Sequence, residues 1–179
     1  MTESGNLSKE VNIVEHYRDY SPPFDAREPV RQLLSYVPDK YLAGLHSVTL
    51  TNSHSTRLLR RGKAWPQKRK VRLSDCRGLY RAGQVVLIVD KIFLGYPNYF
   101  LHLSYFRTHL LGEVLYHEIG HHIHRTRKHD RRDKEFVADE WGDKLLRSFM
   151  SKRYWYVSFA AVPYQLLFHP IVARLQGKS

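Results

Sequence analysis

From Pro29, the apolar residues Val30, Leu33, Leu34 and Val37 recur at three- and four-residue intervals, which predicts a helix. The pair Val37-Pro38 ends it, because a residue before proline avoids the α region. Leu45 to Leu50 alternates as a strand does. Leu79-Tyr80 and then Gln84 to Val89 predict two further strands, joined by a short turn at Arg81-Ala82-Gly83. Gly95 to Asn98 breaks the pattern. From Ser104 to His124 the spacing is helical, with Phe106, Leu110 and Val114 beside Leu111, Leu115, Ile119 and Ile123. After a charged connection at 125–134, a second helix is predicted from Arg132 to Met150, with Val137, Trp141, Leu145 and Phe149 on one side. The expected class is α+β: a small mixed sheet packed on one long helix, followed by another.

The chain ends behave differently. Met1 to Lys9 is polar and has no apolar core of the kind a secretory leader needs, so residues 1–28 are expected to be a flexible tail before a domain at 29–150. Residues 151–179 form an apolar extension, in which Tyr154 to Leu175 is aromatic with basic flanks. Pro163, Pro170 and Gln165 interrupt it within the roughly 20 residues that a bilayer requires. The extension is therefore read as packing on the domain or contacting a partner, with membrane contact the less favoured alternative.

Charge adds a question of partners. The 179 residues carry a formal charge of +12, which suits an anionic partner without choosing among nucleic acid, a membrane surface and an acidic protein. The surplus is densest at 57–72, where Arg57, Arg60, Arg61, Lys63, Lys68, Arg69, Lys70 and Arg72 occur with no acid between them. These are candidate anion-binding residues, and Trp65 among them could stack on a base. A solvated loop or one that meets an acidic protein reads equally well. The single Cys76 excludes an intramolecular disulfide framework and fits a reducing compartment, so a cytoplasmic location is expected.

The sharpest chemical signal lies inside the first long helix, where residues 117–121 read His-Glu-Ile-Gly-His. Histidines at i and i+4 share one helix face, so His117 and His121 can reach one metal ion while Glu118 points beside them to a water. A catalytic Zn²⁺ takes three protein ligands and keeps a fourth position open, so a third ligand must come from another element. Glu135 opens the next predicted helix, and Asp139 follows one turn later, placed to accept a ring N–H from a ligand histidine. Glu140, Asp139 and His129 are fallback ligands. His122 and His124 are read as packing or surface positions.

The set His117, Glu118, His121, Glu135 and Asp139 resembles the zincin metallopeptidases, and among them the gluzincins, in which HExxH is completed by a glutamate in an E-x-x-x-D context. His117 to His122 is also similar to the small ImmA/IrrE-type peptidases. The resemblance implies a compact zincin domain, a Zn²⁺ cofactor and hydrolysis of peptide bonds in a protein or peptide substrate, with Glu118 as general base. It further implies that the strand Val85, Val86, Leu87, Ile88 and Val89 lies above the cleft and pairs with the substrate, although five aliphatics in a row read equally as a buried central strand. Tyr80, His129, Tyr154, Tyr156 and His169 are candidates to stabilise an oxyanion. Two alternatives stand beside this reading. One is a DNA-associated SprT-like protease, completed by His124 or His129 and using the basic loop; the other is a catalytically silent binding protein on the same fold.

Overall fold

The aliphatic run at Gln84–Ile88 is the centre of a four-stranded sheet. The computed structural model describes residues 11–56, 76–127 and 133–157. In chain order these form β1 (Asn12–His16), α1 (Arg27–Tyr36), α2 (Asp39–Leu42), β2 (Ser47–Thr51), β3 (Gly78–Arg81), β4 (Gln84–Ile88), α3 (Val89–Ile92), α4 (Asn98–His102), α5 (Ser104–Thr126) and α6 (Lys134–Arg153). The strand order is β1-β2-β4-β3, with β1, β2 and β4 parallel and β3 antiparallel to β4. The fold is thus α+β, with a small mixed sheet and one long helix.

Two sequence expectations change. Of the tail expected over 1–28, Asn12–His16 is instead an edge strand, paired residue for residue with β2. Its side chains are mostly exposed, so it lacks the buried alternation that would mark a strand in the sequence. Second, β4 is bonded to β2 on one side and β3 on the other, so Val85–Ile88 has no free edge to offer a substrate. Val89 has already left the sheet to begin α3. The physical reason is burial: Val85, Leu87 and Ile88 are almost wholly inaccessible, as expected for a strand covered on both faces.

The turn between β3 and β4 has Ala82 at φ 44° and Gly83 at φ 82°. Two consecutive positive φ values twist a two-residue hairpin in the sense its strands require. Gly83 also approaches the Gly44 carbonyl so closely that a Cβ there would lie 2.4 Å from it. The hairpin holds β3 at the edge of the sheet, beside α5.

Leu111, Leu115, Ile119 and Ile123 recur along α5 and are fully buried, each contributing roughly 1.5–3 kcal/mol of apolar burial. Tyr116 is buried with them, and its hydroxyl donates to the Leu33 carbonyl of α1 at 2.9 Å. The chain divides into two compact units, Met1–Leu146 and Arg147–Ser179, a boundary that falls inside α6 and not at the expected 150/151. Within the second unit, the buried Tyr154 rests against Phe149 and Tyr156, with ring centroids 6.4 and 6.1 Å apart. Most of the apolar extension and the whole basic stretch 57–72 lie outside the described residues. No described helix is long and apolar enough to cross a membrane.

Candidate metal centre

The HExxH residues occupy the middle of α5. There His117 Nε2 and His121 Nε2 are 3.1 Å apart. Glu135 Oε2 lies 3.7 Å from the first and 3.4 Å from the second. Ligand atoms at 2.0–2.1 Å from one tetrahedral ion are about 3.3–3.4 Å from each other, so the three atoms trace one face of such a tetrahedron. Two imidazoles and a carboxylate are also the donor types that zinc accepts. Among the described residues, His117, His121 and Glu135 form a group that can hold a metal ion.

Local chemistry prepares each ligand. Asp133 Oδ1 accepts the backbone N–H groups of Glu135 and Phe136 at 3.1 Å each, which caps α6 and fixes where Glu135 leaves the helix. Asp139 Oδ1 lies 2.8 Å from His117 Nδ1. Accepting the proton there fixes the tautomer that leaves the Nε2 lone pair facing the other ligands. Burial, followed by the neighbouring His117, holds His121 below the ordinary imidazole pKa, so this ring is neutral and able to ligate.

Glu118 turns from the ligands toward β3 and is only 6% exposed. Burial first, and the nearby Glu135 second, push its carboxyl up to about 8, while a hydrogen bond with the Tyr80 backbone pulls the other way. Gly78 permits this position: a Cβ there would lie 2.7 Å from Glu118 Oε1 and 2.6 Å from Val114 Cγ1. A carboxyl held this way can carry a proton near neutral pH beside the three ligands.

The helix crossing depends on glycines that the sequence reading left unremarked. A Cβ on Gly120 would lie 2.6 Å from the Ala138 carbonyl oxygen and 2.7 Å from its Cα. One on Gly142 would lie 3.2 Å from His117 N and Cα. α5 and α6 therefore come close backbone to backbone at two points beside the triad, which brings Glu135 and Asp139 within reach of His117. The available signal was a glycine inside each helical pattern, where it costs about 1 kcal/mol relative to alanine and so asks for a packing reason.

The remaining candidates separate clearly. His122 is buried, with Nε2 3.1 Å from the Ala43 carbonyl and Nδ1 3.0 Å from the Tyr80 hydroxyl, which also accepts the Gly83 N–H. His122 is a packing residue, and both functions of the Tyr80 hydroxyl are engaged away from the ligands. His124 lines the cavity without joining the triad, and Glu140 is not part of it either. Tyr154 and Tyr156 belong to the second unit, and His129 and His169 lie outside the described residues. A cavity of about 1040 Å³ opens over the triad between β3, α5 and the first part of α6. Leu79 and Tyr80 of β3 line it, where the expected Val85–Val89 do not.

Comparison with protein-family models, with curated proteins and with solved structures finds no match to this chain.

Proposed function

We propose that the protein is a zinc-dependent metallopeptidase. The observation that carries this reading is the His117–His121–Glu135 triangle, with a buried glutamate from the same helix turn beside it and an open cavity above. A zinc ion held by these three residues would act as a Lewis acid and lower the pKa of a water in its fourth position toward neutrality.

The chain's own residues supply the rest. Glu118 takes a proton from the attacking water at its carboxylate oxygen and returns it to the leaving amine nitrogen. Asp139 holds the His117 ring in the ligating tautomer and orientation. β3 has no strand on its outer edge among the described residues and, apart from the Tyr80 backbone group that meets Glu118, offers backbone groups to an extended peptide, the role that β4 cannot take. Peptide hydrolysis uses every one of these features, including the intact Glu118 that a silent binding protein would not need.

The test is elemental analysis of the purified full chain, run beside Glu135→Ala and Glu118→Gln variants and a screen for hydrolysis of an unfolded protein substrate. Expected are one zinc per chain in the wild type and in Glu118→Gln, much less in Glu135→Ala, and hydrolysis by the wild type alone. A wild type without zinc, or hydrolysis undiminished in Glu118→Gln, overturns the reading.

A further inference from the structure

The cavity over the triad has unlike ends. Gly120 meets Ala138, Gly142 meets His117, and Gly112 faces Leu146, so α5 and α6 run antiparallel along the cavity. The first turn of α6 therefore lies beside the last turns of α5, and its later turns lie beside the earlier ones. The charged lining residues sort by this register: His124, Arg125 and Lys134 at one end, Glu113 and Asp143 at the other, with the triad between them. Among the described residues, Arg125, Lys134 and Glu113 make no ion pair. Arg77, the residue before β3, also lines the cavity, and because Gly78 lies beside Val114 it belongs to the Glu113 end, where two carboxylates outnumber it.

Helix and strand spacings convert this into positions on a peptide. Glu113 and Arg125 are separated by twelve residues of helix, about 18 Å, and the two ligand histidines lie midway. An extended chain advances about 3.4 Å per residue, so each charged end is two to three residues from the centre. Direction follows from β3. Gly78 lies beside Val114 and Glu118 while Tyr80 lies beside His122, so β3 runs the same way as α5. Antiparallel pairing is the somewhat more stable arrangement, and a peptide antiparallel to β3 passes from the Arg125–Lys134 end to the Glu113–Asp143 end.

We propose that the site selects peptides by charge order: an acidic residue two or three positions before the bond held at the triad, and a basic residue two or three positions after it. This rests on the peptidase reading and adds to it a substrate class. The hydrolytic machinery is equally compatible with neutral peptides; the ends of the cavity favour charged ones.

The test uses the full-length Glu118→Gln chain loaded with zinc and two short dye-labelled peptides of the same composition. One carries Glu before and Lys after the central bond, and the other reverses them. Fluorescence anisotropy reads their affinities at low and at high salt. Exposed ion pairs are individually weak, so two of them predict a preference of about fivefold for the first peptide, reduced at high salt. In the Arg125→Gln/Lys134→Gln double variant, which spares the triad and Glu118, the preference should fall to about twofold. Equal affinities, a preference for the reversed peptide, no binding of either, or a preference that the double variant leaves intact would each overturn the inference. Zinc content and protein hydrolysis by the wild type, measured alongside, report separately on the peptidase reading: a chain that holds zinc and hydrolyses protein but ignores charge order loses only the inference.

Discussion

Helix α5 carries two histidine environments one residue apart. On the side toward the sheet, His122 is buried and both ring nitrogens have partners, one at the Ala43 carbonyl and one at the Tyr80 hydroxyl. On the side toward α6, His117 and His121 remain partly exposed, and one nitrogen of each converges on Glu135. Three histidines in six residues thus have unlike fates, because a helix turns about 100° per residue and delivers neighbours to different surroundings. The sheet side satisfies its polar atoms within the fold, whereas the α6 side gathers donors toward a common point.

The largest expected effect separates chemistry from binding on the α6 side. Replacing Glu118 by Gln keeps the shape and removes the proton acceptor, so hydrolysis should fall by roughly 10²–10⁴-fold with zinc content unchanged, as steady-state kinetics and elemental analysis would read. Next comes the crossing itself. Gly120→Ala gains up to about 1 kcal/mol of helix propensity but drives a methyl into the Ala138 backbone. Backbone cannot step aside as a flexible side chain can, so overpacking of about 1–3 kcal/mol should win, and zinc affinity should drop together with thermal stability. Should Gly120→Ala prove more stable and bind zinc normally, the helices are not keyed there.

Adjacent substitutions sharpen the contrast between the two sides. His122→Leu leaves the Tyr80 hydroxyl without its histidine partner and should cost about 1–3 kcal/mol in denaturant unfolding while the purified folded chain retains zinc. His121→Leu should do the reverse, abolishing stoichiometric zinc at little cost to the metal-free fold. Asp139→Asn is expected to weaken zinc affinity by about 10–100-fold, measured by competition with a chelating dye, because the ring it steadies belongs to the group that can hold the metal. The smallest effect concerns pH. Burial keeps His122 below its ordinary value of 6.5, so on acidification the unfolded chain binds this proton before the folded one does. Its contribution is complete above about pH 6.5 and drains away below it, so the stability gap between metal-free wild type and His122→Leu should narrow as pH falls.

The parts legible in the sequence were those whose signal is local. Leu111, Leu115, Ile119 and Ile123 announce α5 through spacing alone, and the histidine pair inherits its geometry from that helix. The β3–β4 hairpin could be read from its glycine turn. Glu135 was reached from the third ligand that zinc needs and from its place at the start of the next predicted helix, with the likeness to gluzincins added afterwards, because periodicity does not say which helices meet. β1 escaped notice because an exposed edge strand shows no burial pattern, and Val85–Ile88 was assigned a substrate because strand order is absent from a strand's own residues. Gly78, Gly120 and Gly142 were hardest to read: what they contribute is the lack of a side chain, and that acquires meaning only beside a particular neighbour.

The two points where α5 and α6 touch lie three residues apart on α5 and four apart on α6, at Gly120 with Ala138 and at His117 with Gly142. A helix held at one point can pivot, and one held at a smooth seam can slide; contact at two such points, one turn apart, permits neither. The separation of the ligands is thereby set by the thickness of bare backbone, a dimension that varies less than any packed side chain. Substitutions elsewhere in the hydrophobic core can accumulate without retuning the site, provided that these few positions stay small.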